Sequence, residues 1–406
     1  VTPLAIARRY GHLNAALARL DVGADPNQAT SGDETMLMHA ARAGSVGLVR
    51  ALIERGVDVN AKQASGQTAL MWAAAQGHTK VVDRLLIAGA DPTVELDSGF
   101  TAVLFAVRQG HGDVAERLLT EGIDLNDRVN PKRNFERAPR KGMSALMLAV
   151  ESGHFELALQ LVDRGADPND QRSGFGPLHA LSWVRRPSRG DNPAGDPPPV
   201  GSGDVGSLQF VRELVERGAN VNLQLERGRA SKARLNPKGA TPMLYAAYTG
   251  DLPYARLLRE LGADFKVAND DGTTPLLAAA GVGIFVADEY PGTEAETLAM
   301  VEQLMKWGAN INAVDSHDET VIHGAAYRSF AKVVDRLVEL GADPKVWQRK
   351  NSIGSTPRQV AAGKRPGSFK PIRPSMDAIE RALTDAGMEI IPWQRKEDLK
   401  KPWSDQ

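Results

Sequence analysis

The chain has 406 residues, a net charge of −1 at pH 7 and no cysteine. A chain this close to neutral does not attract nucleic acid or a membrane surface through its overall field. The missing thiols exclude disulfides, thiolate metal sites and cysteine nucleophiles. Because free thiols are a liability where disulfides form, their absence favours a periplasmic or other extracytoplasmic compartment over the cytoplasm, with chance composition as the alternative.

Four threonines, Thr2, Thr35, Thr68 and Thr101, open similar phrases at a spacing of 33 residues. A fixed period of this length is typical of an array in which one small repeat recurs and packs on its neighbours. Function in such an array is expected on an extended surface. Since the chain begins at Val1 inside a repeat, we also expect further sequence upstream.

The repeat that contains Thr68 predicts two short antiparallel helices. Thr68 can cap a first helix over residues 69–76 through its hydroxyl group. Gly77 is expected to end this helix in a left-handed conformation. A second helix then begins at Thr79 and ends before Pro92, because proline cannot continue it.

Similar phrases recur along nearly the whole chain as Thr-Pro-Leu-His-like openings, Gly-His pairs and Gly-Ala-Asp-x-Asn endings. Examples are Gly176–His179, Thr241–Met243, Thr274–Leu276 and Thr320–His323 for the openings, Gly77–His78, Gly110–His111 and Gly153–His154 for the pairs, and Gly23–Asn27 and Gly165–Asn169 for the endings. In these residues the chain resembles the ankyrin-repeat family, and its alanine-rich phrases resemble bacterial members.

The resemblance implies an all-α ankyrin-repeat solenoid of about ten helix-turn-helix repeats with short β-hairpin fingers. It further implies protein–protein recognition without catalysis. We expect the array over residues 1–391 and a C-terminal tail over residues 392–406. Insertions interrupt the period near residues 127–141, 185–206, 223–238, 282–293 and 364–375.

Two of these insertions are strongly basic and are expected to lengthen fingers on the same side of the array. The first, 127–141, carries six basic and two acidic residues, and the second, 223–238, five and one, so that each has a net charge of +4. These charges predict a clamp for an acidic partner or an anionic group; the alternative is two solvated, flexible loops. The predicted partner-binding residues are Arg128, Lys132, Arg133, Phe135, Arg137, Arg140 and Lys141 in the first loop, and Arg227, Arg229, Lys232, Arg234 and Lys238 in the second.

Further partner contacts are predicted at the fingertips. The candidates are Lys62, Gln63, Glu95, Leu96, Gln171, Arg172, Asp270 and His317. Most histidines stand at repeat positions, where they are expected to satisfy backbone groups, so we expect no metal site. The residues 201–206 match a dinucleotide-binding fingerprint by coincidence, because they follow a proline-rich loop instead of a strand. No cofactor and no catalytic residue is expected.

The sequence therefore predicts a non-catalytic scaffold that binds a protein partner through a concave face of fingers and first helices and through its basic loops. Nucleic acid is a weaker partner, since the basic loops lack stacking aromatic residues apart from Phe135. Two alternatives stay open: a constitutive accessory or structural subunit of a larger assembly, and the repeat region of a longer chain with a catalytic domain upstream.

Overall fold

The structure is a computed structural model, and it describes residues 18, 20–23, 25–29, 32–126, 129–132, 140–187, 197–228, 235–284, 291–365 and 370–390. The chain divides into two compact units. Unit 1 comprises residues 1–173 with 199–217, and unit 2 comprises residues 174–198 with 218–406. All regular secondary structure within the described ranges is helical. None of these helices is long and apolar enough to cross a lipid bilayer.

Unit 1 consists of short first helices that alternate with slightly longer second helices. In chain order they are α1 (Met36–Arg42), α2 (Val46–Glu54), α3 (Ala69–Ala75), α4 (Thr79–Ile87), α5 (Ala102–Arg108), α6 (Gly112–Leu119), α7 (Ala145–Glu151) and α8 (Phe155–Asp163), followed, after α9 (Pro177–Arg185) of unit 2, by α10 (Ser207–Glu216). The first helices α1, α3, α5 and α7 pack side by side. The second helices form a parallel layer, in which α2 packs on α4 and α4 on α6.

Unit 2 repeats this arrangement with proline in the first turn of many helices. Beside α9 it contains α11 (Pro242–Tyr248), α12 (Leu252–Glu260), α13 (Pro275–Ala280), α14 (Glu294–Lys306), α15 (Val321–Arg328), α16 (Ala331–Glu339), α17 (Pro344–Trp347), α18 (Pro357–Ala361) and α19 (Arg373–Asp385). Proline suits this position because its fixed φ favours the helix and its missing N–H has no partner there. Helix α19 begins inside the segment 364–375 that the sequence predicted to be an inserted loop.

Hydroxyl side chains cap many of the first helices, as the sequence predicted for Thr68. The Thr68 Oγ1 accepts a hydrogen bond from the Met71 amide at 3.3 Å, and the Ser144 Oγ does so from the Met147 amide at 3.3 Å. Each bond satisfies an amide that has no partner inside its helix. At the other end, Gly77 has φ +74°, the left-handed conformation expected of it.

Histidines link neighbouring repeats of unit 1. The His78, His111 and His154 Nε2 atoms donate to the carbonyls of Arg42, Ala75 and Arg108 at 3.1, 3.2 and 3.0 Å. Each accepting carbonyl lies near the end of the preceding first helix, where no intrahelical donor remains. The predicted backbone role of these histidines is therefore confirmed.

The same role is filled in unit 2 by two fully buried histidines. The His179 Nε2 donates to the Ala240 carbonyl at 3.1 Å, and the His323 Nε2 donates to the Ser355 carbonyl at 3.2 Å. Burial lowers the pKa of both rings to about 4, so they stay neutral near pH 7. No cluster of potential metal ligands occurs among the described residues.

The fingers are tight turns, and none of those described contains a strand. In one finger the Leu96 amide donates to the Phe100 carbonyl at 2.9 Å and the Gly99 amide to the Leu96 carbonyl at 2.8 Å. A third bond joins this finger to the next, from the Lys132 amide to the Asp97 carbonyl at 2.8 Å. These main-chain bonds are too few to form the β-hairpin that the sequence predicted for each finger.

The insertion at 185–206 lies between α9 and α10 and contains no helix in its described residues 197–206. Its second half returns to unit 1, where the Ser202 amide donates to the His154 Nδ1 at 2.9 Å. The insertion also passes close to the main chain at Gly153. Glycine is required at position 201, because a Cβ there would lie 1.7 Å from the Gly153 carbonyl oxygen. The first glycine of the dinucleotide-like fingerprint thus serves backbone packing.

We expect His111→Ala to destabilise unit 1 by about 1–3 kcal/mol, because the Ala75 carbonyl loses its donor. The measurement is the free energy of unfolding from urea titration at pH 7.5. Gln109→Ala, at an exposed position two residues away, is the matched control. Equal stabilities of the two variants would contradict the role of the histidine.

Candidate protein-binding surface

One face of the first helices is left open in unit 1. In the seven-residue helix α3, the first, second, third, fifth and sixth residues are buried, while Trp72 and Ala75, the fourth and seventh, are half-buried. In α5 the same positions hold the half-buried Phe105 and the exposed Arg108. Residues three apart lie on the same side of a helix. We call the surface formed by these fourth and seventh residues the inner face.

Arg108 stacks on aromatic rings. Its guanidinium carbon lies 4.7 Å from the ring centre of Phe100 and 5.5 Å from that of Phe105. The two rings are themselves in contact, with centres 4.8 Å apart. Partial burial lowers the pKa of Arg108 below its ordinary value, although an arginine remains charged at any physiological pH.

Arg42, the seventh residue of α1, repeats this arrangement with the neighbouring helix. Its guanidinium carbon lies 5.1 Å from the ring centre of Trp72 on α3. Its Nη2 also lies 3.4 Å from the His39 Nδ1. Within the described residues, neither Arg42 nor Arg108 has a carboxylate within ion-pair distance.

Several arginines on or directly after the second helices behave differently, because they pair with carboxylates of the preceding repeat. The Arg117 Nε lies 2.6 Å from the Asp83 Oδ1, and the Arg217 Nε lies 2.7 Å from the Asp163 Oδ1. Arg42 and Arg108 on the inner face differ from these two arginines. Each stacks on an aromatic ring and has no carboxylate partner among the described residues.

In unit 2 the corresponding positions carry aromatic side chains. Trp183 is the seventh residue of α9, and Tyr245 and Tyr248 are the fourth and seventh residues of α11. The ring centres of Trp183 and Tyr245 lie 6.4 Å apart, and those of Tyr245 and Tyr248 lie 6.5 Å apart. All three are half-buried, and the Tyr248 hydroxyl donates to the Gly283 carbonyl at 3.0 Å.

The first basic loop belongs to unit 1 and is described in part. Lys132 lies 3.2 Å from the Asp97 carboxylate, Arg140 pairs with Glu151, and Lys141 is exposed. The remaining predicted residues lie outside the described ranges; they are Arg128, Arg133, Phe135 and Arg137.

The second basic loop belongs to unit 2. Arg227 is exposed, and the Lys238 ammonium lies 2.7 Å from the Asp270 carboxylate, whose hydrogen bond raises the pKa of the lysine. Arg229, Lys232 and Arg234 lie outside the described residues.

The predicted fingertips divide into exposed and fixed side chains. Lys62 and Glu95 are exposed, and Gln63 is half-buried and bonded to Gln67 and Ser65. Leu96 differs from the expectation of an exposed fingertip: its side chain is only 9% exposed and lies against Gly66.

At the fingertip that follows α8, Gln171 is half-buried and Arg172 is fixed. The Arg172 Nε and Nη2 donate to the two carboxylate oxygens of Asp170 at 2.6 and 2.9 Å. Burial by itself would raise the pKa of Asp170, but these bonds outweigh it and hold the pKa below its ordinary value.

The carboxyl group of Glu319 is buried between the last described fingers of unit 2. The Glu319 Oε1 accepts hydrogen bonds from the Tyr327 hydroxyl at 3.0 Å and from the Asn351 Nδ2 at 2.9 Å. Its buried Oε2 has no hydrogen-bond partner among the described residues and lies 4.0 Å from the His323 Nδ1. Burial, together with the neighbouring Asp315 charge, raises the pKa of Glu319 to about 8. This carboxyl group is therefore neutral near pH 7 in the folded protein.

The sequence predictions missed Arg42, Trp72, Phe105 and Arg108. The signal was present in their register, because each stands at the fourth or seventh position of a first helix. The predictions concentrated on charged loops, where the number of basic residues is conspicuous.

A family model described as "Ankyrin repeats (3 copies)" matches residues 4–95, 37–129 and 85–172. The chain is 32% identical to the mouse B-cell lymphoma 3 protein homolog over 131 residues, which cover 32% of this chain and 26% of that protein. It is 30% identical to the human Neurogenic locus notch homolog protein 2 over 142 residues, 34% of this chain and 5% of that protein.

Mouse Ankyrin repeat and SOCS box protein 16 is 30% identical over 121 residues, which cover 30% of this chain and 25% of that protein. Among solved structures, the human ASB11 ankyrin repeat domain is similar at 22% identity and a TM-score of 0.49, covering 65% of this chain and 99% of that one. The chain thus spans about a quarter or less of each of these three curated relatives.

The helix pairs and their shared register define a helical-repeat protein. The described helices are all α-helices in the helix-pair arrangement of ankyrin repeats, and residues 4–172 match the family model of these repeats. Ankyrin repeats are generally protein–protein interaction modules and typically have no catalytic activity.

Glu319→Gln is expected to stabilise the protein at pH 8 but not at pH 5. The folded pKa of about 8 lies above the ordinary value of 4.5, so the stability contributed by this group is complete below pH 4.5 and is lost as the pH rises to 8. Glutamine retains an acceptor for Tyr327 and Asn351 and does not ionise. The gain at pH 8 is expected to be on the order of a few kcal/mol.

The measurement is the difference in thermal midpoint between variant and wild type at several values between pH 5 and 8. Asp385→Asn, at an exposed position in unit 2, is the control. Titration of the buried histidines cancels in this difference, because both proteins contain them. A difference that does not change with pH would contradict the raised pKa.

Proposed function

We propose that this chain is a non-catalytic scaffold that binds a protein partner on the inner face of its first helices, assisted by the two basic finger loops. The observation that carries the proposal is that each unit has half-buried aromatic side chains at the fourth or seventh position of its first helices, Trp72 and Phe105 in unit 1 and Trp183, Tyr245 and Tyr248 in unit 2. Large aromatic residues and arginine are enriched where protein partners bind most strongly.

Rigid presentation supports this function. Five of the seven residues in α3 are buried, and the two partly exposed positions are fixed by the helix. A partner that docks on such a surface orders few side chains, so little conformational entropy opposes binding. The basic loops would supply electrostatic attraction for an acidic partner.

If the chain were a constitutive accessory subunit, we would expect a large apolar patch on the surface of the insertions. Among the described residues, the strongly exposed large hydrophobic side chains are Val22, Ile87 and Val200. Only Val200 lies in an insertion, and single exposed apolar residues are ordinary. We propose the inner face because its aromatic side chains are partly exposed at repeated helix positions.

Affinity purification from the native source, with mass spectrometry, tests the proposal. The baits are the intact chain, a first-loop variant with Lys132, Arg140 and Lys141 changed to serine, and a second-loop variant with Arg227 and Lys238 changed to serine. We expect recovery of the partner to fall at least fivefold with one or both loop variants at about 0.15 M salt, because surface charges attract over about 8 Å there.

The control bait carries Lys80→Ser and Arg84→Ser on the exposed side of α4. It removes two positive charges from a second helix and is expected to recover the partner fully. A partner lost only with the control bait would contradict the proposal and favour an accessory subunit bound through the second helices.

A further inference from the structure

The inner face of unit 1 has a positive charge that no carboxylate among the described residues of unit 1 neutralises. Arg42 and Arg108 stack on Trp72, Phe105 and Phe100, and no carboxylate among the described residues pairs with either guanidinium group. An arginine that stacks on a ring can still bind a carboxylate with two parallel in-plane hydrogen bonds. In Arg42 the Nη2 lies 3.4 Å from the His39 Nδ1, and the remaining N–H groups are the donors for a carboxylate.

The spacing of the two arginines sets the geometry of a ligand. The guanidinium of Arg42 lies over a ring of α3, and that of Arg108 lies over rings at the neighbouring α5. Packed helices are about 8–10 Å apart, and the Arg42 guanidinium, which reaches from α1, lies a further 5.1 Å from the Trp72 ring centre on α3. The two charges are therefore separated by about 10–15 Å. An extended peptide rises about 3.3 Å per residue, and this distance corresponds to about three to five residues.

Building on the proposed function, we propose that the inner face of α1, α3 and α5 binds an extended acidic segment of the partner protein. Two carboxylates about three to five residues apart meet Arg42 and Arg108. An apolar side chain between them lies on the exposed parts of Trp72 and Phe105.

A nucleic acid fits this surface less well. Binding to single strands depends on bases that stack on open aromatic faces and on a row of cations that follows the backbone. Here a guanidinium group already lies over each ring. Among the described residues, Arg42 and Arg108 are the two such cations on the inner face of α1, α3 and α5. A carboxylate peptide uses the outward N–H groups of the same arginines without displacing them from the rings.

The test begins with selection of a random twelve-residue peptide library against the immobilised full chain. We expect enriched peptides to carry two Asp or Glu residues about three to five positions apart around Leu, Phe or Trp. The enriched peptides, labelled with fluorescein, then serve as probes in anisotropy titrations at 50 and 300 mM salt.

We expect Arg108→Ala and Arg42→Ala each to weaken peptide binding at least fivefold, and Arg108→Lys to weaken it as well, because lysine lacks the planar fork. Arg84→Ala is the matched control, since Arg84 is an exposed arginine on a second helix. It is expected to bind as the wild type does. Circular dichroism melting curves show that each variant is folded before its affinity is interpreted.

Three outcomes overturn the inference. Peptides that keep full affinity for Arg42→Ala and Arg108→Ala but lose it with the loop variants would place the acidic segment on the basic loops and leave the proposed function intact. Enriched peptides without carboxylates would remove the acidic partner but not protein binding. A library without any enriched sequence, combined with tight binding of a twelve-residue oligothymidylate, would overturn both proposals.

Discussion

Stacking between neighbouring repeats is the constraint on which the rest of both units depends. A helix of seven residues, such as α3 or α5, is too short to persist alone in water. It is held because its buried residues contact the helices on either side, and Ala73 and Ala74 are fully buried in this way. In α3 and α5 the fourth and seventh positions then remain for other chemistry, and Trp72, Phe105 and Arg108 stand there.

The links between repeats are made at three levels. Histidines such as His111, at the start of a second helix, bond to the end of the preceding repeat's first helix. Arginine–carboxylate pairs such as Arg117–Asp83 join successive second helices, and single main-chain bonds join neighbouring fingers. Because these links reach only the next repeat, with the Arg186–Glu296 pair of unit 2 as an exception that spans two, stability is expected to be local and roughly additive along each unit. A substitution on the inner face should therefore alter binding without disturbing repeats farther along the chain.

The features that could be predicted from the sequence are those set within one repeat. Thr68 caps α3 and Gly77 ends it because hydroxyl and glycine residues act on their own backbone neighbourhood. The pairing of Arg42 with Trp72 depends on two residues 30 apart in sequence, which meet only after the repeats stack. Leu96 was placed at a fingertip by its position in the turn, but an apolar side chain there folds under the finger and packs against Gly66.

The neutral Glu319 has a consequence for the energetics of unit 2. Between the ordinary value of 4.5 and about 8, the folded carboxyl group holds a proton that the unfolded chain releases. Unfolding near pH 7 is thus accompanied by proton release from this site, and its apparent enthalpy should depend on the ionisation heat of the buffer. The fingers around Glu319 therefore couple the local opening of unit 2 to proton exchange with the solvent.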